Sequence, residues 1–198
     1  MKRLVLIFVL YLLANTASAQ FFDDFSAGLE SVITYYNDDE KVINPGETDV
    51  RSNNYLRFNY FKNSFRASLQ LESYIQEALL GYAPEFNNKL GLSMFSVAYT
   101  HKKLELSAGY LFHQFSSGLS FRTWEDRQLG LNNALVGVYL NYELDKKVKI
   151  KGFLGKQKIG FDVSNGTLMG LNTEIGLGKG FNMDLAIISR YESYETDN

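Results

Sequence analysis

Beyond residue 20, apolar and polar residues alternate with a period of two along most of the chain, the spacing that places side chains on opposite faces of a β-strand. In Tyr55-Leu56-Arg57-Phe58-Asn59-Tyr60, Leu56, Phe58 and Tyr60 share one face and Arg57 and Asn59 the other. The stretch from Phe65 to Ile75 sets Phe65, Ala67, Leu69 and Leu71 against Arg66, Ser68, Gln70 and Glu72. Leu104 to Phe112, Val136 to Tyr142, Met169 to Leu177 and Phe181 to Ile187 repeat the pattern. Ala27 to Tyr36, Lys89 to Thr100 and Val148 to Gln157 follow it less strictly, and the whole predicts about nine strands. Most are about ten residues long, which exceeds the usual ~5–6 of soluble sheets and suits a tilted membrane-spanning strand of ~9–11.

The connections predict which side each strand end faces. Three-residue turns fall at Lys62-Asn63-Ser64, His101-Lys102-Lys103, Asp145-Lys146-Lys147 and Gly178-Lys179-Gly180. Longer ones at Asn37 to Asn54, Gln76 to Asn88, His113 to Asn133 and Lys158 to Gly166 alternate with them. Outer-membrane barrels show this asymmetry, with short periplasmic turns and long extracellular loops. The polar face carries long side chains of both signs, Arg57, Arg66, Glu72, Glu105, Glu174 and Asp184, as a wet lumen tolerates. The apolar face carries Tyr60, Phe65, Tyr110, Phe112, Tyr142 and Phe181 near strand ends, where lipid-interface girdles sit. The expected fold is therefore all-β, an antiparallel up-and-down transmembrane β-barrel with its polar face inward.

The N-terminus adds a compartment. Lys2 and Arg3 precede the apolar run Leu4 to Leu13, and Ala17-Ser18-Ala19 supplies a small-x-small cleavage pattern. Residues 1–19 read as a signal peptide and 20–198 as the barrel domain, exported to the cell outer membrane with its N-terminus periplasmic. Nine strands are an odd number, and the chain ends in the polar run Tyr191 to Asn198, so the expectation is the N-terminal part of a larger barrel.

Composition narrows the chemistry. The 198 residues include 29 aromatics (15 Phe, 13 Tyr and 1 Trp) and only two Pro, which favours extended chain. The formal charge of −2 argues against a nucleic-acid partner. With no Cys and two His, thiolate sites are excluded and only carboxylate metal sites could form. Asn37-Asp38-Asp39-Glu40 lacks the spacing of a calcium loop, and Gly176-Leu177-Gly178-Lys179-Gly180 lacks that of a phosphate loop. No metal or cofactor is expected. His113 and Ser116, with Asn132 or Asn133, form the one lead toward nucleophilic catalysis, but their spacing places His113 and Ser116 on opposite strand faces.

The densest chemistry lies in the longest connection, Phe121-Arg122-Thr123-Trp124-Glu125-Asp126-Arg127, which holds the sole Trp and breaks the alternation. Arg122, Trp124, Glu125, Asp126 and Arg127 are expected to fold inward as a constriction, with Arg122 and Arg127 paired to lumen carboxylates such as Glu72 and Glu105. An ordinary solvated loop is the competing reading.

The segments Arg51-Ser52-Asn53-Asn54-Tyr55-Leu56, Ala78 to Pro84 and Phe121 to Leu135 resemble an uncharacterised Bacteroidota outer-membrane protein family, from about Phe25 to Asp162. That resemblance implies a barrel longer than this chain and no catalytic residue. The expected role is a non-enzymatic pore, transporter or structural scaffold, in contact with outer-membrane lipid and lipopolysaccharide and delivered by the barrel-assembly machinery. The alternatives are a barrel enzyme hydrolysing lipid or peptide, and a soluble periplasmic β-barrel binding protein.

Overall fold

The computed structural model describes residues 23–37, 49–79, 86–127 and 129–192. The leader read at 1–19, the acidic run Asp38-Asp39-Glu40 and residues 193–198 lie outside them. Eleven strands are described: β1 Phe25–Tyr35, β2 Val50–Lys62, β3 Phe65–Gln76, β4 Leu90–His101, β5 Leu104–Leu111, β6 Glu125–Asp126, β7 Leu131–Asn132, β8 Leu135–Glu143, β9 Val148–Ile159, β10 Asp162–Gly178 and β11 Phe181–Tyr191. Nine of them form one sheet in chain order, β1-β2-β3-β4-β5-β8-β9-β10-β11, while β6 and β7 pair only with each other inside the β5–β8 connection. All named strand pairs are antiparallel, and β1 and β11 are the two edges.

Tight turns at one end set the register. Asn63, Lys102 and Lys179 adopt positive φ of 52°, 53° and 53° at three of them. The β8–β9 turn is longer, Leu144 to Lys147, and Asp145 holds it together by accepting hydrogen bonds from the backbone N–H groups of Lys147 (2.7 Å) and Val148 (2.8 Å). Those two bonds hold the Asp145 carboxyl below its ordinary pKa.

One expected loop is absent. Lys158 to Gly166 is not a long connection: β9 and β10 continue into a hairpin joined by Gly160 and Phe161, with Asp162 opposite Ile159. The Gly, Asp and Asn residues that read as loop punctuation serve a bulge between Val163 and Thr167 and a left-handed Gly160 (φ 58°). The strict alternation of short and long connections therefore fails at this point.

Burial inverts the pattern of a soluble sheet. Along β3, Leu69 and Ile75 are exposed while Gln70, Glu72 and Tyr74 are 1%, 4% and 1% exposed. On β10, Asn172 is 0% exposed beside Leu171 at 53%. Ser93 and Ser107 are buried where Leu92 and Leu106 are exposed. The covered face is the polar one, and the long connection between β5 and β8 lies on it. Phe115 and Phe121 from that connection pack on Leu135, Tyr139 and Phe153 of β8 and β9, with Leu111 and Leu168 completing the cluster. Phe121 stacks on Phe153 with ring centroids 3.9 Å apart. A second cluster joins Tyr74, Ala78 and Phe86 to Phe161 of the β9–β10 turn.

Three glycines stand side by side in the middle of the sheet. Gly109 lies opposite Gly137, and Gly137 opposite Gly155, so they form one row across β5, β8 and β9. A Cβ on Gly137 would stand 2.1 Å from the Leu154 carbonyl oxygen, and one on Gly109 2.3 Å from that of Phe95. Gly109 also has φ of 108°, a conformation other residues rarely adopt. The β4–β5 pairing ends at this row, with Ser96 opposite Gly109. The row marks where backbones approach more closely than side chains allow.

Candidate functional site: a loop seated on the polar face

The connection from Phe112 to Ala134 spans the polar face and grips both wings of the sheet. Its aromatic half packs on β8 and β9 as described. Its charged half reaches the opposite wing, where Arg127 is the anchor. The Arg127 guanidinium donates to Glu30 of β1 (2.8 Å) and to the Gln70 Oε1 of β3 (2.9 Å). It also lies 4.3 Å from the ring centroid of Tyr55 on β2 and 3.4 Å from the Glu125 carboxylate. A planar guanidinium satisfies such a set because its donors fan out in one plane while its face stacks on a ring.

Gln70 organises the centre of that wing. Its Oε1 accepts from Arg127 and also from Arg57, at 2.9 and 2.6 Å. Its Nε2 donates to Glu72 (2.8 Å) and Ser93 (3.1 Å). Tyr74 donates its hydroxyl to the other Glu72 oxygen at 2.7 Å. One amide thus faces two cations with its oxygen and a carboxylate with its nitrogen. An almost fully buried carboxylate persists only with such partners, since an unpaired buried charge is costly.

The other polar residues expected in the lumen lie on the same face in smaller groups. Arg66 stands 3.7 Å from Glu105, which also accepts from Asn141 at 3.4 Å. Glu174 pairs with Lys151 and accepts from Ser116 of the long connection at 3.3 Å. Asp184 accepts from the buried Asn172. Lys149 and Glu143 pair at 2.6 Å near the β8–β9 turn.

The arginine partners differ from expectation. Arg127 reaches Glu30 and Gln70 rather than Glu72 or Glu105, because Gln70 and Tyr74 occupy Glu72 while Arg66 and Asn141 occupy Glu105. Arg122 makes no ion pair among the described residues; it is exposed, and its guanidinium lies 5.6 Å from the Trp124 ring. Glu125 accepts from Asn132 at 3.0 Å and Asp126 from the Leu129 N–H at 3.1 Å, bonds that shape the β6–β7 hairpin. The backbone N–H of Trp124 donates to Asn133 Oδ1 at 2.6 Å and fixes the base of that hairpin.

His113 meets Ser107, not Ser116. Ser107 Oγ and His113 Nε2 are 3.3 Å apart, and the imidazole stacks on Tyr139 with centroids 3.6 Å apart. Among the described residues no carboxylate hydrogen-bonds the ring, so the pair lacks the third group that orients a nucleophile–base couple. Sequence spacing could not reveal this contact, because the chain turns between β5 and His113. Lys158 was also invisible as a site residue: it is 3% exposed, with its ammonium 6.0 and 5.9 Å from the Tyr110 and Phe161 rings. No group of three metal-ligating side chains occurs among the described residues.

Arg127→Ala should release the charged half of the loop while the Phe115–Phe121 half stays docked. The loss of a charge-assisted bond to Gln70 and one to Glu30 should cost about 1.5–3 kcal/mol of docking free energy. Iodide quenching of the sole Trp, Trp124, should rise clearly in the variant. Unchanged quenching would mean that Arg127 does not hold the loop.

A family model describing a family of unknown function, DUF6029, matches residues 1–196, and the chain belongs to that family. No curated protein matches the chain, and no solved structure matches it.

Proposed function

We propose that this DUF6029 member is a wall of an outer-membrane β-barrel of a Bacteroidota cell, acting as a pore constricted by its own β5–β8 loop. The observation that carries this reading is the inverted burial: Gln70, Glu72, Ser93, Ser107 and Asn172 are covered while their strand neighbours Leu69, Leu92, Leu106 and Leu171 are exposed. A row of large apolar side chains facing outward is unfavourable in water and favourable in a bilayer. Phe65, Tyr99, Tyr142 and Phe181, all near the short turns, are exposed at 40%, 44%, 38% and 71% and would form one interfacial girdle. The leader read at 1–19 supplies export, and the short turns would face the periplasm. Strands are the crossing elements of this reading; no helix among the described residues is long and apolar enough to cross a membrane.

The function follows from the lumen. In this reading its wall is lined by paired charges, and the loop seated on that face would narrow the polar passage. Small polar solutes are the substrate class that such a surface admits, and the chain performs no covalent step on them.

The test is expression of the full gene product followed by fractionation and planar-bilayer recording. Recovery in the outer membrane, with gel mobility that changes on heating, and small ionic conductance are expected. Arg127→Ala should enlarge that conductance. Recovery as a soluble periplasmic protein would overturn the reading.

A further inference from the structure

The outward face carries a depression that the pore reading leaves unused. It is an open groove of about 510 Å³ across β4, β5, β8 and β9, walled by Phe65, Val97, Tyr99, Leu106, Val138 and Leu154. Its floor is low where Ala108 and Gly152 replace larger side chains. A Cβ built on Gly152 finds its nearest neighbours at 3.6 and 3.8 Å, ordinary van der Waals contact, so the glycine is not required by crowding. The groove runs over two rungs of the sheet, Tyr99–Leu106–Leu140–Gly152 and Val97–Ala108–Val138–Leu154.

Directly beyond its lower rung lie the β4–β5 and β8–β9 turns. From Leu106 to Lys103 is three residues, roughly 10 Å along a strand. The two turns are tied together: Lys103 donates its ammonium to the Leu144 carbonyl at 3.1 Å, and the Glu143 N–H bonds the Lys103 carbonyl at 2.9 Å. They present Lys102, Lys146 and Lys147, none of which has an ion pair among the described residues. The nearby carboxylates are engaged elsewhere: Asp145 by its own turn, Glu143 by Lys149, and Glu174 and Asp184, which line a polar pocket with Lys146 and Lys147, by Lys151 and Asn172. An apolar slot ending at three uncommitted ammonium groups is complementary to one molecule with an acyl chain and an anionic head.

We propose that this groove and the paired turns form a binding site for one anionic phospholipid, its acyl chain against Ala108 and Gly152 and its phosphate at Lys102, Lys146 and Lys147. The proposal rests on the membrane reading above and deepens it. It commits to the periplasm-facing leaflet, because the lysines lie at the short-turn end.

The full chain is inserted into vesicles, with insertion checked by protease protection. Spin-labelled phosphatidylglycerol, phosphatidylcholine and lipid A are then compared by the motionally restricted fraction of each. Phosphatidylglycerol should exceed phosphatidylcholine by roughly tenfold in relative association, as a few juxtamembrane lysines provide. The triple variant Lys102→Gln, Lys146→Gln, Lys147→Gln should insert normally and lose that preference. Gly152→Leu should insert and lose tight association with both lipids, since its side chain fills the slot. A chain that inserts but shows no preference, a triple variant that keeps it, or a stronger preference for lipid A each overturns the site alone. A chain that never enters vesicles overturns the membrane reading and the site together.

Discussion

Gly137→Val should abolish folding into the native sheet. The new Cβ would stand 2.1 Å from the Leu154 carbonyl oxygen and 2.5 Å from the Gly155 Cα, both backbone atoms that cannot swing aside as a side chain can. The approach is equally close from the other side, where a Cβ built on Gly155 would stand 2.6 Å from the Val136 oxygen. Two strands must separate, and the β8–β9 pairing from Leu135 to Glu143 is the seam through which Tyr139 and Phe153 support the loop. Overpacking in a well-packed site costs ~1–3 kcal/mol, and a contact with backbone on both sides belongs at or above the top of that range. The measurement is the yield of folded, protease-resistant protein after refolding into detergent, with Gly152→Ala as control. Gly152→Ala should fold normally, since its Cβ meets nothing closer than 3.6 Å. Equal yields for Gly137→Val and the control would mean that the sheet does not need the glycine there.

The second large effect tests the direction of the faces. Leu171→Arg places a cation at a mid-strand position that is 53% exposed and outward. In lipid that change should cost about 2–4 kcal/mol. Ser68→Arg, on the polar face, replaces a hydroxyl bonded to Asn59 at 2.9 Å and should cost less than ~1 kcal/mol among the charged side chains of that face. Urea unfolding from vesicles measures both. In a soluble β-protein the order would reverse, because an exposed leucine in water tolerates arginine.

The alternation of residue types carried the faces of the sheet into view. Leu56, Phe58, Leu69 and Leu171 fall on one side and Arg57, Gln70, Glu72 and Asn172 on the other, because a strand leaves no freedom in side-chain parity. The connections were less legible. Gly160, Asp162, Asn165 and Gly166 carry turn chemistry, and nothing local distinguishes a long loop from a hairpin with a bulge. The inward loop could be suspected from a Trp, two Arg and broken periodicity, yet its partners could not. Arg127 finds Glu30 across 97 residues, and only the strand order brings them together. Gly109, Gly137 and Gly155 stand in plain sight in the chain, but they become a row only once the register of β5, β8 and β9 is fixed. Ser107 and His113 are likewise joined by a change of chain direction rather than by spacing.

The order of strands in the sheet also has a polarity. Each neighbour runs against the last, so β1 and β11, the first and ninth strands of the sheet, point the same way. Joined directly, these two edges would meet as a parallel pair with slanted hydrogen bonds, the less stable ladder per residue. A ring closed wholly through antiparallel pairs therefore requires an odd count of intervening strands. The first and last of them must both run opposite to β1 and β11, whatever chain supplies them. Any wall that meets this condition must also continue the inside–outside parity set by Glu30 at one edge and Asp184 at the other.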